Sequence, residues 1–288
     1  RALSPEAKGR LRRIVALGLA ALWVPTFAPT TLASTSEGTR EITALEPLSL
    51  SVPYSWRTME GLETHLISPS PTYDHLHDVA FAPDGHMALA VGSHNTLLGW
   101  DGVNGTARVL RNGTLGNLYG VAWSADSSTA LAVGWNGALV EYASGSINDL
   151  PPQGSGIWQG VTFVPGAGFL VVGTGGSMFF LNGTSRTNVT SPTTNDLMAV
   201  AWGGVAGKAL AVGRGGAVVE VTPAGAASLV APIVPDDLRA AAFEADTGKG
   251  LIAGGSGVLL SYSGGALSNE THAPTEGGYY DIDVRSSS

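Results

Sequence analysis

Residues 120–142 read GVAWSADSSTALAVGWNGALVEY. Three short apolar runs follow one another here: Gly120–Trp123, a run ending at Val133, and Gly137–Tyr142. Ser, Asp, Gly and Asn separate them. Runs of this length and composition, bounded by turn formers, read as consecutive β-strands. The plan recurs along the chain. Asp78-Val79-Ala80-Phe81, Gly160-Val161-Thr162-Phe163, Ala199-Val200-Ala201-Trp202 and Ala240-Ala241-Ala242-Phe243 match Gly120-Val121-Ala122-Trp123. The closing aromatics lie 42, 40, 39 and 41 residues apart. A glycine landmark stands ten or eleven residues after each: Gly92, Gly134, Gly173, Gly213 and Gly254. A fourth, more polar strand completes each unit.

A repeat of about forty residues with four short strands is the pattern of a β-propeller blade. The second strands, such as Ala88-Leu89-Ala90-Val91 and Phe169-Leu170-Val171-Val172, are continuously apolar rather than alternating. A strand covered on both faces by neighbouring sheets needs that composition. A parallel β-helix has shorter repeats, and a β-sandwich would not repeat so regularly. The expected fold is therefore all-β, a propeller of four-stranded blades spanning residues 48–288.

Both ends bear on the number of blades. Tyr280-Asp281-Ile282-Asp283-Val284 repeats the first-strand pattern, with Val284 lying 41 residues after Phe243. Before the first full unit, strands are expected near Leu48–Val52, Ser55–Met59 and Thr64–Ser68. The reading that joins these pieces is a sixth blade built from both termini, with the C-terminal strand closing the ring. Seven or more blades stay open if the chain continues past Ser288.

The N-terminal residues read as an address. Lys8, Arg10, Arg12 and Arg13 precede an apolar run from Ile14 to Phe27. Thr31-Leu32-Ala33 then supplies a small-residue cleavage site. Pro25 and Pro29 interrupt the run and shorten it, which favours a signal peptide over residues 1–33; an uncleaved signal anchor is the alternative. Positive charge ahead of the run places the remainder of the chain outside the cell or on the outer face of its membrane. A polar linker occupies residues 34–47.

Composition excludes several classes. The chain has 288 residues, of which 44% are hydrophobic and 13% charged, so a packed core is expected rather than disorder. Glycine is abundant at 40 residues but follows no three-residue period, which excludes collagen and implies many tight turns. A net charge of −8 argues against binding nucleic acid. With no cysteine, disulfides and thiolate chemistry are both absent.

Val79-Ala80-Phe81-Ala82-Pro83-Asp84-Gly85 resembles the strand and turn of WD-repeat and YVTN-type propellers, and Trp100-Asp101 is similar to the WD dipeptide. Ala132-Val133-Gly134-Trp135-Asn136-Gly137-Ala138-Leu139 and Ala211-Val212-Gly213-Arg214-Gly215-Gly216-Ala217-Val218 look closer to the BNR-like repeats of photosystem II assembly factor-type propellers. The resemblance covers residues 48–284. It implies the fold strongly and function weakly, because these superfamilies include scaffolds, receptors, lyases and glycosidases.

No motif calls for a cofactor or a catalytic site. Ser124-Ala125-Asp126-Ser127-Ser128-Thr129 is the nearest approach to a sialidase Asp-box, and such boxes are structural turns. Arginine, which a sialidase-like site would gather, is scattered. Gly175-Gly176 and Gly215-Gly216 read as turns that need positive φ, not as phosphate cradles. His75 and His77 would share one side of a strand, with His94 in the following loop. A transition-metal site needs three or four converging ligands, so these histidines read as solvated loop residues and no metal site is expected.

Equivalent positions of the repeats fall into distinct classes. Five residues before each closing aromatic stand Leu76, Leu118, Trp158, Leu197, Leu238 and Tyr279, uniformly bulky as packing requires. The next position holds His77, Tyr119, Gln159, Met198, Arg239 and Tyr280, alike in neither size nor charge. Then come Asp78, Gly120, Gly160, Ala199, Ala240 and Asp281, mostly small, as a crowded ring centre demands. The varied position is expected at the channel rim, where propeller ligands commonly gather. Turns between second and third strands should open on the same side, bringing His94, Trp135 and Arg214 towards it. These nine residues are the candidate contacts for a protein or glycan partner. The sequence reading is thus a non-catalytic extracytoplasmic binding or scaffold module; the alternative is a carbohydrate-active or lyase-type propeller enzyme. Five Asn-x-Thr sequons, at Asn104, Asn112, Asn182, Asn188 and Asn269, fall in or beside expected outer turns and are candidate glycosylation sites if the chain is exported.

Overall fold

The computed structural model describes residues 71–113, 116–244, 247–271 and 277–284. The N-terminal address, the linker and the strands expected between residues 48 and 68 lie outside the described residues. Within them the chain forms five four-stranded antiparallel sheets, each built from consecutive strands in simple meander order. Sheet I comprises β1 (Leu76–Phe81), β2 (Met87–Gly92), β3 (Leu97–Asp101) and β4 (Thr106–Arg111). Sheet II comprises β5 (Leu118–Trp123), β6 (Thr129–Gly134), β7 (Leu139–Ala143) and β8 (Ser146–Leu150). In sheet III are β9 (Trp158–Val164), β10 (Gly168–Gly173), β11 (Met178–Asn182) and β12 (Ser185–Val189). Sheet IV holds β13 (Leu197–Trp202), β14 (Ala209–Gly213), β15 (Val218–Val221) and β16 (Ala227–Val230). Sheet V holds β17 (Leu238–Phe243), β18 (Gly250–Gly254), β19 (Leu259–Ser263) and β20 (Ala266–Asn269).

Successive sheets stack through their first strands: β1 lies against β5, β5 against β9, β9 against β13 and β13 against β17. The small residues expected in these strands are explained by that stacking. A Cβ on Gly120 would stand 3.1 Å from the Gln159 carbonyl, and one on Gly160 would stand 3.1 Å from Ala199 Cα. The core consists of one apolar cluster per interface. Leu89, Val91 and Leu97 of sheet I meet Leu118, Val121 and Trp123 of sheet II, and equivalent clusters follow at each later junction. Leu118, Leu197 and Leu238, at the bulky position, are wholly buried, each contributing about 1.5–3 kcal/mol relative to exposure. Closing aromatics pack edge-on against rings of the same sheet, as in Phe81–Trp100, Trp123–Tyr142 and Phe243–Tyr262.

The landmark glycine owes its place to close approach, not to an unusual φ. Its backbone is extended, with φ of −170° at Gly134 and −171° at Gly213. A Cβ on Gly134 would sit 2.1 Å from the Asn117 carbonyl oxygen, and the equivalent distances at Gly92, Gly173, Gly213 and Gly254 are 2.1, 2.2, 2.0 and 2.3 Å. In every sheet the residue after the glycine donates its backbone N–H to that carbonyl: Ser93 to His75, Trp135 to Asn117, Thr174 to Ile157, Arg214 to Asp196 and Gly255 to Asp237, at 2.8–3.0 Å. The Gly-Gly pairs sit, as expected, in single-turn 3-10 segments with positive φ, 63° and 70° at Gly175 and Gly176.

Tyr279–Val284 forms no strand among the described residues. It does lie against sheet V, with the Tyr279 N–H donating to the Gly254 carbonyl at 2.9 Å. Tyr279, expected to pack like its counterparts, is 46% exposed, whereas Leu118, Trp158, Leu197 and Leu238 are buried and Leu76 is partly so; the strands expected to cover Tyr279 fall outside the described residues.

Gly134→Ala is expected to destabilise the protein by roughly 2–4 kcal/mol, since backbone must shift to admit the methyl group. Gly145→Ala, at φ 86° with nothing within 4 Å, should cost only about 1 kcal/mol. Equilibrium urea denaturation of both variants checks the contrast.

Candidate functional site

Each first strand carries a β-bulge at its second residue. In sheet I, Leu76 pairs with Gly92 and Asp78 with Val91, leaving His77 outside the ladder. The same slip leaves out Tyr119, Gln159, Met198 and Arg239 in sheets II to V. A bulged residue is freed from cross-strand pairing and its side chain is re-aimed. The position that varies without pattern in the sequence is therefore the position the ladder does not use.

The turns after the second strands open at this same end, because the recurrent N–H bond ties each of them to the residue just before or beside its first strand. His94, Trp135 and Arg214 thus share one end of the sheets with the bulges. His77 and Tyr119 meet across the I/II junction with ring centroids 5.2 Å apart. Ser93 Oγ lies 3.3 Å from His77 Nε2, and Asn117 Nδ2 donates to the Tyr119 hydroxyl at 3.3 Å. Arg239 places its guanidinium 4.6 Å from the Tyr280 ring centroid, a cation–π contact. Gln159 and Met198 are partly buried at their bulges. Trp135 is 52% exposed and Tyr280 77% exposed.

His94 and Arg214 are more constrained than the sequence suggested. His94 Nδ1 donates to Asp74 Oδ1 at 2.6 Å, while Thr96 and Thr72 hydroxyls donate to Oδ2. Those bonds, His94's foremost, hold the Asp74 carboxyl down at about 2. Arg214 pairs with Asp196 at 3.4 Å. Burial, reinforced by the charge of His75, keeps His77 below the ordinary imidazole range. Among the described residues no three His, Asp or Glu side chains converge as metal ligands. The Asp-box-like segment is a turn: Asp126 accepts from the Ser124 and Ser128 hydroxyls and from the Ser128 N–H.

Two kinds of residue escaped the sequence reading. Asn117, Asp196 and Asp237 each precede a bulky landmark and tie their sheet to the turn of the sheet before. They accept from His94 N, Gly175 N and Gly215 N at 3.3, 2.8 and 3.0 Å. Their recurrence one residue before Leu was a visible signal. Asp78 is the other. Its carboxylate accepts from Val79 N and, across the junction, from Val121 N, both at 2.8 Å. An acid at this position bridges two first strands where glycine or alanine merely fits. Desolvation pushes the Asp78 carboxyl up to about 6 against those two bonds, and the charge of Asp281 adds to the rise. Desolvation likewise holds Asp281 above the ordinary range, with Asp283 contributing.

All five sequon asparagines are exposed. Asn104 lies in the β3–β4 turn, Asn112 just after β4, Asn182 and Asn269 at the ends of β11 and β20, and Asn188 on β12.

No protein-family model matches the chain, and no curated protein matches it. Among solved structures, it is similar to a structural genomics protein of unknown function from Bacteroides thetaiotaomicron VPI-5482, with a TM-score of 0.55 and 14% identity. The match covers 73% of this chain and 64% of that one, so the chain spans a little under two thirds of its neighbour's length. At this identity the likeness is one of fold alone.

Asp78 binds its proton more tightly in the folded chain (about 6) than at its ordinary value of 3.8. Its contribution to stability is therefore complete below about pH 4 and lost as pH rises through about 6. Relative to Asp78→Asn, wild-type unfolding free energy should fall by on the order of 2–3 kcal/mol between pH 4 and 7. Asp281→Asn should move that fall to lower pH. Urea titrations across the range measure both.

Proposed function

We propose that the chain is a non-catalytic binding module, a β-propeller whose bulged end recognises a protein or glycan partner. The observation that carries this reading is the set of five bulges. Neighbouring positions are fixed by packing, yet the bulges present histidine, tyrosine, glutamine, methionine and arginine at one end. The bulge itself comes with the pairing of each landmark glycine, but the side chain it re-aims is left free of the ladder, and bulges beside a recognition site direct side chains towards a ligand.

In this reading the ring has six blades and Tyr279–Val284 supplies the first strand of the last. Three contacts support it. Tyr280 stands to Arg239 as Tyr119 stands to His77, with neighbouring varied positions touching. Tyr279 binds the end of β18, and the charge of Asp281 reaches Asp78 at the opposite end of the series. Such a ring gathers Arg239, Tyr280, His77 and Tyr119 into one aromatic and cationic arc, with exposed Trp135 beside it. Aromatic faces and guanidinium groups are the common anchors of protein interfaces, and flat rings also stack on sugars. The repeats themselves resemble those of WD, YVTN and BNR-like propellers, a comparison that favours the fold and leaves the partner open.

Export by residues 1–33 and glycosylation of the exposed sequons complete the reading. Intact mass of the protein from its native host should lack about the first 33 residues and carry added hexose on Asn-linked peptides. A full-length mass with bare asparagines refutes both. For the rim, Tyr119→Ala, Trp135→Ala and Arg239→Ala combined should abolish capture of a partner from host membranes or a glycan array, with Tm changed by only a few degrees. Undiminished capture by the triple variant overturns the rim assignment.

A further inference from the structure

Two interfaces place a glutamate between sheets, seven residues after the landmark glycine: Glu141 after Gly134 and Glu220 after Gly213. The same position is Gly99 in sheet I, Phe180 in sheet III and Ser261 in sheet V. Between sheets IV and V the carboxylate is fully served. Glu220 is 7% exposed. The Lys208 ammonium pairs with Oε2, and across the junction the Tyr262 hydroxyl donates to Oε1 at 2.7 Å. Burial alone would raise Glu220, but these two donors outweigh it and hold the carboxyl below its ordinary value. Tyr262 is pushed up to about 12, by burial first and then by the carboxylate it serves. A carboxylate enclosed between sheets needs such donors.

Between sheets II and III the glutamate recurs without them. Five residues before the landmark, where sheet IV has Lys208, sheet II has Thr129. Eight residues after the landmark, where sheet V has Tyr262, sheet III has Leu181. Among the described residues Glu141 accepts a single hydrogen bond, 3.4 Å from Asn148 Nδ2 of its own sheet. A pocket of about 180 Å³ opens there, lined among others by Thr129, Leu131, Glu141, Phe163, Phe169 and Leu181. Phe163 and Phe169 meet edge to face at 5.2 Å, the counterpart of Phe243 and Tyr262 at 5.9 Å, so the ring contact is kept and its hydroxyl lost. The pocket stands at the hairpin end of the sheets, where Phe169 pairs with Phe163, opposite the bulges.

A mainly apolar cavity with one carboxylate and no cation among the described residues that line it is complementary to an ammonium ion carrying an apolar body. We propose that this pocket binds a small arylalkylammonium ion. Its ammonium takes on Glu141 the place that Lys208 takes on Glu220, and its ring packs against Phe163, Phe169 and Leu181. The volume suits the ligand: an apolar cavity of about 150 Å³ accommodates a benzene ring. The inference rests on the repeat geometry and not on the rim.

Phenethylammonium is the probe, titrated into the whole chain by calorimetry and by saturation-transfer NMR. Saturable binding at micromolar to millimolar concentration is expected, with 2-phenylethanol, its neutral counterpart, at least tenfold weaker. Glu141→Gln should weaken phenethylammonium at least tenfold and leave 2-phenylethanol unchanged, a comparison that also shows whether the variant's pocket is intact. Thr129→Lys combined with Leu181→Tyr should abolish binding of both and raise Tm, because it rebuilds the cluster of the IV/V interface. No saturable binding at millimolar concentration, or equal binding of the cation by Glu141→Gln, overturns the proposal.

Discussion

One short contact organises this protein: the N–H after each landmark glycine donating to the carbonyl ahead of the first strand. It recurs in all five sheets at 2.8–3.0 Å. Only a residue without Cβ lets the two backbones approach, since a methyl group would come within 2.3 Å of the carbonyl oxygen or closer. The contact fixes where the turn after each second strand stands relative to its first strand. Everything at that end of the sheets inherits its position from it.

The bulges are part of the same arrangement. In each sheet the landmark glycine pairs with the bulky residue that opens the first strand, and the ladder resumes two residues later. The residue between is left over. Its neighbours are held by burial on one side and by a crowded junction on the other, so the bulged residue alone can vary. Packed positions and a free one are thereby separated within three consecutive residues. Asp78 departs from the pattern because its carboxylate replaces steric fit with two hydrogen bonds, one of them to the next sheet.

The glutamates between sheets illustrate how a repeat can keep a residue and lose its partners. Glu220 is held by an ammonium and a phenol from two sheets. Glu141 occupies the equivalent place with a threonine and a leucine opposite, and space remains. Glu220 is buried and needs its two donors, whereas Glu141 is only partly buried, so the difference between the two sites lies in which one has its donors built in.

Strand order, sheet size and the recurring glycine were legible from the residues, because short-range rules govern them: apolar runs of strand length, turn formers between them, and a period near forty. Positive φ at Gly175 and Gly176 followed from the same local chemistry. That His77, Tyr119, Gln159, Met198 and Arg239 form one class was legible too, by comparing repeats. Why they form it was not, since a bulge is a property of pairing between strands and leaves no mark in either strand alone. The tethering of His94 by Asp74, the bridging role of Asp78 and the pocket at Glu141 likewise depend on groups brought together across turns or sheet junctions. The sequence by itself determined the sheets and the residues each must contain, because local sterics and burial decide those. Tertiary structure alone decided which polar groups find partners, because a hydrogen bond across a junction depends on two residues that the chain's local pattern never compares.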